Sequence, residues 1–99
     1  MSESFNIEMF EGQLNTSFRM HYGDTQNAEL KLIGVTDVGS SERQNQFSII
    51  FLGPYEAPIS QGIYRVEHEA LGDLDLFLVP IGRDKEGVRY EAIFNRVLE

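Results

Sequence analysis

The sequence predicts an all-β fold: a single antiparallel β-sandwich or small open barrel of six or seven strands, spanning residues 1–99. Three observations lead there. Apolar and polar residues alternate over short runs, the period of a half-buried strand. Gly, Pro, Asn, Asp and Ser break the chain at short intervals, which makes neighbouring strands antiparallel. No window of about 11 residues or more shows the 3.6-residue period of an amphipathic helix. Helix is therefore expected to stay under about a fifth of the chain, against an average near a third.

Each element follows in order. Phe5 to Phe10 is a candidate seventh strand. Phe18, Met20 and Tyr22 alternate with Arg19 and His21, and Gly23 to Asn27 form a turn. Leu30 and Leu32 alternate with Glu29 and Lys31 in a strand that runs on toward Val38. Setting Tyr22 opposite Ala28 places Met20 against Leu30, Phe18 against Leu32, and His21 near Glu29. Gly39 to Gln46 is a polar loop. Phe47 to Leu52 is apolar on both faces except at Ser48, as a central strand would be. Gly53-Pro54 ends it, and Pro54 to Gly62 is a longer loop. In the next strand Tyr64, Val66 and His68 share one face, with Arg65, Glu67 and Glu69 on the other. Leu71-Gly72-Asp73 turns the chain into Leu74–Pro80, with Ala70 set opposite Leu74. Ile81 to Gly87 is a charged turn, and Val88 to Asn95 the last strand. No internal repeat is visible. The expected core is Phe18, Met20, Leu30, Leu32, Phe47, Ile49, Phe51, Tyr64, Val66, Leu76, Leu78, Tyr90, Ala92 and Phe94.

Composition narrows the functional classes. Hydrophobic residues make up 41% and charged residues 24%, ordinary values for a folded domain. Lys and Arg total 8 against 16 Asp and Glu, a formal charge of -8. Such a surface repels phosphate backbones and anionic lipid, so neither nucleic acid nor membrane is an expected partner. No apolar run approaches the roughly 20 residues of a transmembrane helix, and the N-terminus shows no signal peptide. The absence of cysteine excludes disulfides and thiolate metal sites and suits a cytoplasmic location.

No catalytic constellation stands out, and no cofactor or metal is expected. There is no phosphate-binding glycine loop, no HExxH and no nucleophile elbow. Ser48 and Ser60 have no spacing relation to His21 or His68. His68 sits in Glu67-His68-Glu69, but alternation sends both carboxylates to the opposite face, so it reads as a hydrogen-bonded histidine at the edge of the core. Asp73, Asp75 and Glu69 read as a solvated acidic hairpin tip. The loop Pro54–Gly62 differs in kind. Two prolines stiffen a segment carrying Tyr55, Ile59 and Gln61, and such residues serve either as interface anchors or as a plug for one barrel end.

The runs Phe47-Ser48, Gly53-Pro54, Gln61-Gly62-Ile63-Tyr64, Glu67-His68, Leu71-Gly72, Leu76-Phe77-Leu78-Val79-Pro80 and Tyr90-Glu91-Ala92-Ile93-Phe94-Asn95 resemble a family of bacterial proteins of about this length, a domain of unknown function. The resemblance is close over the second half of the chain and loose over Phe18 to Val38. It implies a role beside phage-tail-collar-like fibre proteins, near which members are often encoded, and it supplies no catalytic residues.

Two functional readings follow. One is a non-enzymatic interaction module, an accessory, adaptor or chaperone of a tail-like or fibre assembly. It would act through a protein partner or self-association, with Tyr55, Ile59 and Gln61 at the interface. The other is a small-ligand or enzymatic barrel whose polar mouth gathers Tyr64, His68, Tyr90 and Glu91.

Overall fold

Each alternating run becomes a strand, and the apolar side of every strand turns toward one interior. The computed structural model describes residues 7–39 and 44–97. Among them are a short helix, α1 (Ile7–Glu11), and six strands: β1 (Ser17–Tyr22), β2 (Gln26–Asp37), β3 (Gln44–Gly53), β4 (Gly62–His68), β5 (Gly72–Asp84) and β6 (Gly87–Val97). The strands run β1-β2-β3-β6-β5-β4 around a closed antiparallel barrel. Closure is made by β1 and β4, through Arg19↔Glu67, Met20↔Val66 and His21↔Arg65. The sheet is thus closed rather than open.

Several local expectations are corrected. The part of the Phe5–Phe10 strand that lies in the described residues is helical, and Phe5 itself lies outside them. The polar loop after β2 is shorter than expected, because β3 begins at Gln44; residues 40–43 lie outside the described residues. The first hairpin pairs Phe18 with Leu30 and Tyr22 with Gln26, two residues tighter than expected. The second pairs His68 with Gly72 and Val66 with Leu74: its three-residue turn sits two residues earlier than expected, which offsets the pairing by four. Both shifts are even, so every side chain keeps its face. Ile81–Gly87 is no simple turn: β5 runs through Asp84, and only Lys85 and Glu86 separate it from β6.

The ladders repeat although the residues do not advertise it. Moving the β1–β2 hairpin 46 positions along the chain turns Phe18↔Leu30 into Tyr64↔Leu76 and Tyr22↔Gln26 into His68↔Gly72, both observed pairs. The β2–β3 ladder likewise maps onto β5–β6. Counted from the seam, Leu32↔Phe51 corresponds to Pro80↔Tyr90 and Gly34↔Ile50 to Gly82↔Arg89, an offset of 48 along the middle strand rather than 46, so β5 carries two more residues than β2 ahead of its bulge. Equivalent residues face each other at both seams, Met20↔Val66 and Phe51↔Tyr90. The barrel is therefore two three-stranded meanders related by a pseudo-twofold axis. In each half the middle strand bends, pairing with its predecessor first and its successor afterwards.

The core matches the expected list closely. Phe18, Met20, Leu30, Leu32, Ile49, Phe51, Val66, Leu78 and Tyr90 are fully buried, while Tyr64 and Phe94 pack on it half-buried. The sequence reading missed Phe10, Ala28, Ala57, Leu74 and Val88. Two of these close the barrel ends. Phe10 of α1 stacks on Phe94 (centroids 5.4 Å apart) beside Phe47. Ala57 of the 54–61 loop is buried, with its N–H on the Pro54 carbonyl at 3.0 Å. The segment before β1 and the segment before β4 thus serve as plugs at corresponding places.

Candidate interaction site

The 54–61 loop is anchored from beneath. Tyr90, fully buried on β6, donates its hydroxyl to the Pro58 carbonyl, and Tyr64 of β4 donates to the Ser60 carbonyl at 2.5 Å. Burial, with the neighbouring Tyr64 and Tyr22, pushes the Tyr90 phenol up to about 12. It therefore stays protonated, and a donor, at any physiological pH. The sequence left plug and interface as alternatives for this loop, and the structure divides the roles by residue. Ala57 faces inward, whereas Tyr55 (49%) and Ile59 (57%) are exposed. Gln61 is exposed beside them.

What the loop presents continues onto the barrel wall. The Arg83 guanidinium lies 4.5 Å from the centroid of the Tyr55 ring, a cation–π contact. Phe77, Val79 and Ile81 follow one another on the outer face of β5, and Ile63 of β4 stands opposite Phe77. Phe77 and Ile81 are about half exposed and Ile63 is 73% exposed. With Tyr55 and Ile59 they make this side of the barrel rich in exposed apolar residues. Residues 5–94 match the family described as a domain of unknown function (DUF6916). The chain belongs to this family. No curated protein and no solved structure matches it.

In this DUF6916 domain the four side chains of the ligand-mouth reading do not converge. Tyr64 and Tyr90 meet the loop at one end, and their hydroxyls are committed to its carbonyls. His68 lies at the far end of β4, and Glu91 follows Tyr90 in strand and so faces outward. At His68's end a groove of about 360 Å³ is lined by Ser17, Phe18, Arg19, Glu29, Glu67, His68, Glu69 and Asp73. Arg19 stands opposite both Glu29 and Glu67. His21 pairs across the β1–β4 seam with Glu67 at 2.6 Å rather than with Glu29. That hydrogen bond holds the Glu67 carboxyl below its usual range. Glu69, expected opposite Asp75, lies in the turn, and Arg65 takes that place. Among the described residues no group of three His, Asp or Glu is arranged to hold a metal ion.

His68 is a latch between the DUF6916 barrel's β4–β5 turn and the segment before β1. Its Nδ1 accepts the N–H groups of Ala70 (2.9 Å) and Leu71 (3.1 Å), so that nitrogen is unprotonated. Nε2 then carries the proton and donates to Thr16 Oγ1 at 2.9 Å, which in turn donates to the Gln13 carbonyl at 2.7 Å. A second proton on Nδ1 would confront two donors. Burial lowers the pKa of this imidazole, opposed by the charge of Glu69. The unfolded state therefore takes up its proton first as pH falls. The stability due to this group is complete above about pH 6.5 and is lost as pH drops from there through the depressed folded value, by at most about 1.4 kcal/mol per pH unit. Unfolding by denaturant between pH 8 and 5 checks this. In His68→Asn, which keeps an acceptor but does not titrate, the slope in that window should flatten; an unchanged slope would assign it to other groups.

Proposed function

We propose that the domain is a non-enzymatic protein–protein interaction module whose contact face is the anchored 54–61 loop with the adjoining apolar side of β5. One observation carries this reading: Tyr55 and Ile59 are exposed on a loop whose main chain is pinned from inside the barrel by two tyrosine hydroxyls. Anchors on a pre-ordered loop lose little entropy on binding and so can carry much of an interface. The apolar rather than acidic character of this face favours a protein over a charged small molecule. A tail-like or fibre assembly is the partner class that the sequence resemblance suggests. In our reading the domain joins such a particle from the cytoplasm as an accessory, adaptor or chaperone.

The tagged protein, purified from its own cells, tests this. The Tyr55→Ala/Ile59→Ser double variant should lose the co-purifying partner by at least about tenfold, while its unfolding free energy falls by less than about 1 kcal/mol, as for exposed sites. Capture unchanged in the double variant would remove the loop from the interface.

A further inference from the structure

On the side of the 54–61 loop, β5 outruns its partner strand. In the first half, the Leu32 N–H to Thr16 carbonyl bond answers the Gly62–Leu78 pair, Asn15 N–H reaches the Leu32 carbonyl, and α1 packs against β2. Past Leu78, the β5 stretch Val79–Asp84 is paired only with β6, because the ladder to β4 stops at Gly62↔Leu78. Among the described residues no backbone hydrogen bond joins it to the 54–61 loop. Between loop and strand runs an open groove of about 490 Å³, lined by Ile59, Pro80, Ile81, Gly82 and Arg83.

We propose that this groove takes a short extended segment of a partner protein, one that carries an apolar residue near a carboxylate. The proposal rests on the interaction reading above and names the partner's chemistry. A strand edge left unpaired on one side is completed by extended main chain, so the occupant is a polypeptide segment. Ile59 and Ile81 form the two exposed apolar walls and set the apolar anchor. Arg83 sets the charge. Arg89 is held by Asp84 and Glu86, but among the described residues Arg83 has no carboxylate partner in a chain of net charge -8. The edge itself is guarded. Pro80 has no N–H and the bulge at Ile81 bends the strand, devices that discourage open-ended sheet addition. Main-chain pairing is thereby confined to a short register around Gly82, and side chains decide recognition.

Short random peptides displayed as a library are panned against the intact protein, and an enriched sequence is then synthesised and titrated. Enriched peptides should pair an apolar residue with Asp or Glu. Their affinity should fall at least about tenfold for Ile81→Asp and for Arg83→Glu, both at exposed positions. Amide shifts on binding should centre on residue 59 and residues 80–83, and panning on Arg83→Glu should enrich basic peptides instead. No enrichment, or affinity untouched by either substitution, would overturn the groove. A peptide weakened by Tyr55→Ala but by neither groove substitution would also overturn it while leaving the loop face standing. Peptide binding at the groove, together with native capture indifferent to Tyr55→Ala but lost in Ile81→Asp, would uphold the groove and reject Tyr55 as the anchor of the loop face.

Discussion

Gly87→Ala is expected to destabilise the domain by at least about 3 kcal/mol, and by enough to prevent folding if overall stability is modest. Gly87 opens β6 with φ at +141°, a conformation that L side chains rarely adopt. A Cβ there would stand 1.9 Å from the Gly53 carbonyl oxygen, which is main chain and cannot rotate away. Gly53 is itself confined, since a Cβ on it would meet Leu30 at 2.7 Å. The two glycines let β3 and β6 approach where the 54–61 loop begins, so relief of the clash must move the root of that loop. The two-residue turn adds to the demand: Asp84 Oδ1 accepts the Glu86 N–H at 2.9 Å and holds Arg89 through its other oxygen. The control is Gly82→Ala on the same hairpin, where a Cβ meets nothing within 4 Å. It should change stability by less than about 1 kcal/mol. Equal midpoints for the two variants in urea would mean that the hairpin adjusts freely and that the close approach is not a constraint.

Gly87 also marks where sequence reasoning stops. Alternation assigned nearly every core side chain to its correct face, because period-2 patterning is local and burial enforces it. Registers were displaced because turn position and length depend on contacts that composition does not show. The second turn comprises Glu69–Leu71, rather than Leu71–Asp73, because His68 Nδ1 collects the Ala70 and Leu71 N–H groups and Gly72 takes a positive φ of 80° within the strand. Barrel closure was invisible for a different reason. Met20 and Val66 are 46 residues apart, and nothing in either segment states that one will pair with the other. The pseudo-repeat is carried by registers and bulges, with Phe18 in one half answered by Tyr64 in the other and Gln26 by Gly72, and β5 holds two more residues before its bulge, so residue identity hid it. At the candidate site, Tyr55 and Ile59 were legible from two prolines and an apolar pair in one loop. Arg83, Ile81 and the Ile63–Phe77 pair were not, because they join the loop only once β5 has bent past it.

Phe10→Ala is expected to cost about 3–5 kcal/mol, the range for a buried aromatic truncated in a packed core. Five residues are too few for a helix to persist on local propensity, so α1 must be held by what it buries. Phe10 is the fully buried side chain of that helix. Its ring stacks on Phe94 at 28° between planes, and Phe94 stacks on Phe47 with centroids 4.7 Å apart. Removing the ring leaves Phe47 and Phe94 without their cover and opens one barrel end. The chain from α1 to Thr16 then keeps the Thr16–His68 latch, its two backbone bonds to Leu32 and the packing of Ile7 and Met9 on the core. Two readouts should move together: the urea midpoint, and hydrogen exchange at the Leu32 amide, which depends on the Thr16 carbonyl staying in place. The Tyr55/Ile59 face lies at the opposite end and should keep its partner in whatever fraction remains folded. A loss under about 1 kcal/mol with Leu32 still protected would show that the barrel closes without α1, and that the segment before β1 is an accessory to the fold rather than its plug.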